Sequence, residues 1–445
     1  MTIDSMTRRD FLVGGALSIA TTAVSSPGIA ADSHPNIILI MADDLGYGDL
    51  GCYGNGAVRT PNIDRLARGG VRFTDFHSNG AVCSPTRAAL LTGCYQQRIG
   101  IEGVVTAKNH RHTGLDLAEE TFAEVLKRAG YATGLFGKWH LGYEVEFNPV
   151  KQGFDEFRGY VSGNIDYHSH IDQEGYEDWW AGAELTPETG YTTDLVTHHG
   201  ADFINRHAPG PFCLYLAHEA PHYPYQGPRD RADRTPGYPE PIQGSRENRK
   251  AAYREMIESL DDGVGKILNA VKRAGIERNT FIFFCSDNGA TKVGLNAPLK
   301  GWKATLYEGG HRVPAIASWP GTIGAGVVTA ETCMTMDLFP TLTGLAGVDP
   351  ADIYGVDGVS LVPVLRDGGT LPGRPLFWRF NDMKAVRDGS WKLVMTGTST
   401  YLYDLSKDLR EQNDLAGLNP DRVSMMKTML TGWENDVDLG VVRRT

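Results

Sequence analysis

Ile37-Ile38-Leu39-Ile40-Met41-Ala42-Asp43-Asp44 is apolar for six residues and then stops at two adjacent carboxylates. A strand with one face in water alternates apolar and polar side chains. A run without alternation has both faces covered, as in the centre of a sheet flanked by helices. Three further runs share this form: Tyr131 to Phe136 leads into Lys138 and His140, Phe212 to Ala217 into His218 and His222, and Phe281 to Cys285 into Asp287-Asn288. Helical patterns lie between them. Asn62 to Arg68 follows Thr60-Pro61, and Phe122, Val125, Leu126 and Ala129 recur at helix spacing before Gly130. A longer pattern from about Asn248 to Ala274 puts Tyr253, Met256, Leu260, Ile267 and Val271 on one stripe, with Gly275 after it. Strands alternating with helices predict an α/β fold built on a large, mostly parallel sheet flanked by helices, and such sheets bind ligands beyond the carboxyl ends of their strands. All four polar clusters fall at those ends.

From about Leu376 the texture changes. Short alternating runs, Leu376 to Phe380, Met383 to Arg387, Trp391 to Met395 and Tyr401 to Tyr403, are separated by turn residues, and a helical stretch from about Arg422 to Trp433 follows. A smaller C-terminal antiparallel sheet plus helix is predicted, with a boundary between Arg366 and Pro375. The expected division is residues 1–31, 32–370 and 371–445.

A chain of 445 residues has ample length for a large core. Its net charge of -11 excludes a nucleic-acid partner, so an anionic substrate needs a local cationic pocket. Residues 1–31 carry Arg8-Arg9, then an apolar run from Phe11 to Val24 that is too short to span a bilayer, then small residues near Ala31. They resemble a twin-arginine export signal, which implies a periplasmic or secreted protein without stable membrane insertion. The two arginines balance Asp4 and Asp10, so removal leaves the charge at -11. Six scattered cysteines, without a Cys-x-x-Cys pair, do not form a disulfide framework. A bridge between Cys52 and Cys94 stays open, and buried single thiols are expected for most.

Cys83-Ser84-Pro85-Thr86-Arg87-Ala88-Ala89-Leu90-Leu91-Thr92-Gly93 reads locally as a helix start. Ser84 suits the N-cap, Pro85 the first turn, and the residues after it are strong helix formers. Cys83 is thereby placed at a helix N-terminus, where free N–H groups and the dipole favour an anion. The stretch resembles the cysteine-type signature of the formylglycine-dependent sulfatases, of the alkaline phosphatase superfamily. A second stretch, Gly130 to Gly142, containing Gly137-Lys138-Trp139-His140, is similar to that family's second signature. The resemblance runs from Asn36 to the segment Tyr403 to Asp408, and implies an alkaline-phosphatase-like fold and a sulfuric ester hydrolase.

Asp43, Asp44, Asp287 and Asn288 are hard oxygen donors, which suit calcium or magnesium rather than zinc. Taken alone, the first pair could cap a strand, and Asp287-Asn288-Gly289 would form a turn in any case. The resemblance implies that these four hold one divalent cation, Ca2+ ahead of Mg2+, with the side chain at position 83 completing the shell. It also implies that a maturation enzyme oxidises Cys83 to formylglycine, whose hydrate attacks sulfur; the second hydroxyl then expels sulfate without attack by water. By the same resemblance Lys138 is expected to contact the sulfate and His140 to pair with the formylglycine hydroxyls, and Arg87 is expected to brace the carboxylates and the nucleophile. Ala220-Pro221-His222-Tyr223-Pro224 resembles the family motif whose histidine, with a lysine farther on, protonates the departing alcohol, which implies that role for His222 and Lys303. His218 and Lys300 compete with these two.

The substrate is left open between a sulfated glycan or small carbohydrate, as in N-acetylgalactosamine-6-sulfatases, and aryl sulfates. Gly142 to Tyr191 is dense in aromatics (Tyr143, Tyr160, Tyr167, Tyr176, Trp179, Trp180, Tyr191) and offers Asp166, His168, His170 and Asp172; these either bind a sugar or pack an insertion. Alternatives are a phosphate or phosphonate ester hydrolase of the same fold, and a sulfated-glycan-binding protein in which Cys83 remains a thiol. A thiol phosphatase needs five residues between its cysteine and arginine, whereas three separate Cys83 from Arg87.

Overall fold

The computed structural model describes residues 34–445 apart from Tyr354. The export-type segment, residues 1–31, lies outside the described residues.

The run Ile37 to Ala42 forms the strand Asn36–Ala42, with every residue buried. Alternate side chains leave its two faces, so Ile37, Leu39 and Met41 enter one core while Ile38, Ile40 and Ala42 enter the other. Helices Cys83–Thr92, Phe122–Arg128 and Leu338–Leu345 cover the first face. Helices Pro61–Arg68, Thr192–His207 and Arg249–Arg273 cover the second. Two covered faces are why no polar residue interrupts the run.

Ten strands form the main sheet. Thr280–Ser286, Asn36–Ala42, Phe212–Ala217, Ala132–Lys138 and Glu156–Tyr160 lie side by side and parallel at its centre. The edges depart from this: Ala315–Ser318 pairs antiparallel with Thr280–Ser286, and the hairpin Trp180–Ala181 and Glu184–Leu185 adds antiparallel strands at the other side. The sheet is therefore mixed around a parallel core. Register aligns the strand ends, because Met41 lies opposite both Ala217 and Cys285, and Gly137 opposite Ala217. Asp43, Lys138, His218 and Asp287 consequently emerge at one edge.

A separate four-stranded antiparallel sheet comprises Leu376–Phe380, Met383–Asp388, Trp391–Thr396 and Ser399–Asp404. The helix Pro420–Val437 buries Met426, Leu430, Trp433 and Val437 with this sheet. Trp433 stacks on Phe377 at 5.1 Å. Cys52 and Cys94 are unbridged, and all six cysteines are free thiols.

Candidate functional site

Beyond the carboxyl ends of the central strands, residues separated by up to 244 positions meet. Asp43 and Asp44 follow one strand, Asp287 and Asn288 its neighbour, and all four are buried. The two loops are tied by backbone N–H donors: Asp287 N–H donates to Ala42 O at 3.1 Å, and Asp44 N–H to the side-chain Oδ1 of Asp287 at 3.2 Å. Asn288 Nδ2 donates to Asp44 Oδ1 at 2.7 Å. Ser286, which carried no signal in the sequence, locks the turn by accepting from Leu45 N–H and donating to Asn288 O.

Cys83 is the first residue of its helix, and the N-cap expected at Ser84 falls on Val82, which makes no side-chain cap bond. The Ser84 hydroxyl instead accepts from Val105 N–H at 3.1 Å, and the wholly buried helix is fixed by packing rather than by its cap. Cys83 Sγ lies 3.3 Å from Asp43 Oδ1 and 3.5 Å from Lys303 Nζ. Burial, reinforced by the charge on Asp43, pushes this thiol far above its ordinary range. As a thiol it is protonated and a poor nucleophile.

Three cations face the three carboxylates. Arg87 donates to Asp287 Oδ2 at 2.8 Å and to Asp43 Oδ2 at 3.4 Å; Lys138 Nζ lies 2.5 Å from Asp43 Oδ2, and Lys303 Nζ 2.7 Å from Asp44 Oδ1. Burial alone would discharge the two lysines, yet Asp43 raises Lys138 and Asp44 raises Lys303, so both remain ammonium ions. Burial likewise opposes ionisation of Asp43, but Lys138, His222 and Arg87 hold it well below the usual carboxylate range. Asp287 goes the other way, to about 6, through burial and the neighbouring charge of Asp43.

His140 and His222 line the same cavity as Cys83 and Lys303, with a volume of about 190 Å³. Gly137 precedes Lys138 with φ +109°, and a Cβ there would lie 2.0 Å from Ala217 O. Only glycine lets the strands approach so closely before the lysine. Asp44 and His140 themselves adopt φ of 62° and 61°, and Ala304, beside Lys303, 66°. These uncommon conformations cluster where functional groups must be aimed. His140 Nε2 bonds Val105 O at 3.0 Å, leaving Nδ1 buried and without a partner among the described residues. Burial, with Lys138 and Arg87 nearby, keeps this ring neutral. His222 Nδ1 donates to Tyr223 O at 2.6 Å, so its Nε2 is the free acceptor, 3.7 Å from Asp44 Oδ2. Burial and Lys303 lower its pKa to about 4.

Neither competing residue lines the Cys83 cavity. Both ring nitrogens of His218 are buried without a partner among the described residues, and Lys300 Nζ bonds Glu411 O at 2.9 Å. In the aromatic segment, Tyr160, Tyr167, Trp179 and Tyr191 are core residues, whereas Tyr143, Tyr176 and Trp180 line an open cleft. Asp166 accepts five bonds that organise loops, among them those from Ser169 and Arg234 N–H, and His170 stacks on Trp179 at 4.6 Å. Asn164, Gln173 and Glu174 line the Cys83 cavity and had no sequence motif to announce them.

The donor set fits a hard cation. Asp44 Oδ2 and Asn288 Oδ1 are buried with no hydrogen-bond partner among the described residues, an arrangement costly unless something supplies positive charge there. Carboxylate and amide oxygens are the ligands of calcium and magnesium. The three carboxylates and three cations cancel, so a divalent ion would leave the pocket net positive and attractive to an anionic ester.

The family model "Sulfatase" matches residues 35–348. Mouse N-acetylgalactosamine-6-sulfatase is 37% identical over 402 residues, covering 84% of this chain and 75% of that one. Human arylsulfatase A is 35% identical over 90% of this chain and 88% of its own. The crystal structure of Ps i-CgsB in complex with k-i-k-neocarrahexaose superposes with a TM-score of 0.82 at 29% identity, covering 93% of this chain and 94% of that one.

Proposed function

We propose, from the premise that this chain belongs to the sulfatase family and is a sulfuric ester hydrolase, that it desulfates a carbohydrate through position 83 after conversion of Cys83 to formylglycine. The observation carrying this reading is the placement of a deeply buried, protonated thiol against Asp43 and Lys303, on the wall of the cavity that His140 and His222 share. A thiol so placed has no use as a thiolate nucleophile. Its aldehyde hydrate would supply one hydroxyl to attack sulfur and a second to expel sulfate.

Asp43, Asp44, Asp287 and Asn288, with the group at position 83, would hold one divalent cation, Ca2+ by the hardness of the set. The ion would supply positive charge next to the ester oxygens. Lys138 and Lys303 add fixed charge where it develops on the sulfate oxygens, stabilising the transition state more than the ground state. Arg87 holds Asp43 and Asp287 in place. His140, with Nδ1 bare, accepts a hydrogen bond from a hydroxyl at position 83. His222 has its acceptor Nε2 towards the site, and the negative charge of the incoming ester offsets Lys303 and raises its proton affinity; once protonated there, it donates to the leaving alcohol.

The 6-sulfate of an N-acetylgalactosamine unit is the proposed substrate, by likeness to the mouse relative. Residues 1–31 as an export signal, a periplasmic or secreted location, a formylglycine-generating maturation enzyme as partner, and a catalytic part over 32–370 with a C-terminal subdomain over 371–445 complete the proposal. No helix among the described residues is long and apolar enough to cross a membrane. Mass spectrometry of the peptide containing Cys83, from protein coexpressed with the maturation enzyme, tests it alongside turnover of a panel of sulfated monosaccharides. Exchange of sulfur for aldehyde oxygen is expected in active protein. An intact thiol with undiminished turnover would overturn the reading.

A further inference from the structure

Three polar side chains on the wall of the Cys83 cavity, Asn164, Gln173 and Glu174, have no part in the chemistry at sulfur. They share that wall with Cys83, His140, His222 and Lys303, and the cavity holds only about 190 Å³. An ester whose sulfate meets Cys83 and Lys303 therefore brings its alcohol against these three. The backbone that carries Asn164 lies against the His140 ring, since a Cβ on the preceding Gly163 would fall 2.8 Å from His140 Nε2.

Their orientation is set from behind the wall by Arg234, which is wholly buried. Its guanidinium is pinned by Ile242 O at 2.9 Å and Ile171 O at 3.3 Å, and its backbone N–H donates to Asp166 Oδ2 at 3.0 Å. Arg234 Nη2 also donates to Asn164 Oδ1 at 2.7 Å. A guanidinium carries donors and no acceptor, so the Asn164 atom that faces it is the carbonyl oxygen, and the Asn164 amide nitrogen is turned the other way. That nitrogen donates to Gln173 Oε1 at 2.7 Å. Gln173 thus has its carbonyl committed, and its Nε2, a double donor, bonds nothing among the described residues. Neither amide can turn over without setting donor against donor. The next residue, Glu174, brings a carboxylate to the same wall, and this group forms no ion pair among the described residues.

We infer that Gln173 and Glu174 are specificity-determining residues for the alcohol half of the ester. Gln173 Nε2 donates to, and the Glu174 carboxylate accepts from, one group of the sugar that can do both, a ring hydroxyl or an acetamido group. Asn164 and Arg234 are positioning residues, because they fix which end of the Gln173 amide faces the cavity. The inference rests on the proposed carbohydrate reading. An aryl sulfate without such a group gains nothing from the pair, so the discrimination is between alcohols, while the cations at Cys83 recognise the sulfate.

The test measures kcat/KM of the full-length, Cys83-matured enzyme for N-acetylgalactosamine 6-sulfate, galactose 6-sulfate and 4-nitrophenyl sulfate. Gln173→Met removes the donor at similar volume, and Gln173 is only half-buried, so the variant should fold. Asn164→Asp keeps an acceptor for Arg234 but turns a second acceptor to Gln173, which must reverse its amide and present a carbonyl to the cavity. In each variant the ratio of sugar to aryl kcat/KM should fall about tenfold, and a ratio does not depend on the fraction of protein folded. A hydroxyl contact lowers it for both sugars, and an acetamido contact for the N-acetylated one alone. An unchanged ratio in Gln173→Met, with sugar sulfates turned over by the parent, overturns the recognition pair and leaves the carbohydrate reading standing. A fall in Gln173→Met with none in Asn164→Asp overturns the positioning by Asn164 and Arg234. A parent enzyme that hydrolyses 4-nitrophenyl sulfate and no sugar sulfate overturns the carbohydrate reading and the inference with it.

Discussion

Two buried charge clusters among the described residues differ in what they leave unsatisfied. Around Cys83, three carboxylates meet three cations at the sheet edge, yet Asp44 Oδ2, Asn288 Oδ1 and His140 Nδ1 have no partners among the described residues. Under the four-stranded sheet, Asp75, His77, Glu308 and His311 meet Arg312, Arg387 and Lys392. There His77 bonds both Asp75 and His311 at 2.9 Å, Lys392 reaches Glu308 at 2.9 Å and His311 at 3.0 Å, and Arg387 clamps both oxygens of Asp75. His77, Glu308 and His311 have the spacing of a metal site, but their donor atoms are already taken: the two Nδ1 atoms by each other, His77 Nε2 by Asp75, and Glu308 and His311 Nε2 by Arg312 and Lys392. Burial lowers the proton affinity of both imidazoles, and Lys392 adds to it for His311. Charge density does not mark a functional centre; buried valence left unsatisfied beside a cavity does.

The largest effect should come from removing the reactive group. Cys83→Ala is expected to lower sulfatase turnover by at least about 10³-fold, at a cost of about 1 kcal/mol in stability. Turnover within tenfold of the parent would break the distinction. Lys392→Ala should do the converse, because it leaves Glu411 without its cation in the interior and Glu308 with Arg312 as its nearest one: about 3 kcal/mol is lost in chemical denaturation, with turnover per folded molecule retained. Collapse of activity without loss of stability would show that the second cluster takes part in catalysis.

His222→Gln should lower kcat about 10²-fold for a sugar sulfate, whose alcohol leaves poorly without a proton, and less than tenfold for 4-nitrophenyl sulfate. Equal losses on both would assign His222 to binding rather than to proton donation. The smallest effect concerns His218, an unpaired ring that does not line the Cys83 cavity. Burial lowers its pKa to about 3, so the unfolded chain binds its proton first; its contribution to stability is complete above about 6.5 and is lost as pH falls towards 3. His218→Phe should therefore narrow the difference in unfolding free energy between pH 7 and pH 4.5 by about 2 kcal/mol. An unchanged difference would mean that the ring is charged or solvated in the folded protein.

The contrast also separates what the sequence could tell from what it could not. The central strands were legible because two covered faces leave an uninterrupted apolar run, and which polar residues would meet followed from strand ends in a parallel sheet. The strands Val71–Phe73 and Ala315–Ser318, outside the parallel core, are three and four residues long, too short for a periodic signal, so their antiparallel pairing could not be read. The N-cap of the Cys83 helix lies two residues before the expected Ser84, because Ser84 finds a tertiary partner in Val105 rather than a local one. The second cluster joins Asp75 to Arg387 across 312 positions with no shared motif, and nothing local distinguishes its histidines from ligands. In the aromatic segment, composition could not separate Tyr167, which is core, from Tyr176, which is 59% exposed at a cleft.

The account is tested most directly by growing crystals of the full chain in calcium and measuring anomalous scattering at long wavelength. A single peak within about 2.3–2.6 Å of Asp44 and Asn288 oxygens, with none among His77, Glu308 and His311, is the predicted result. A peak in the histidine cluster, or none beside Asp44 and Asn288 at saturating calcium, would contradict it.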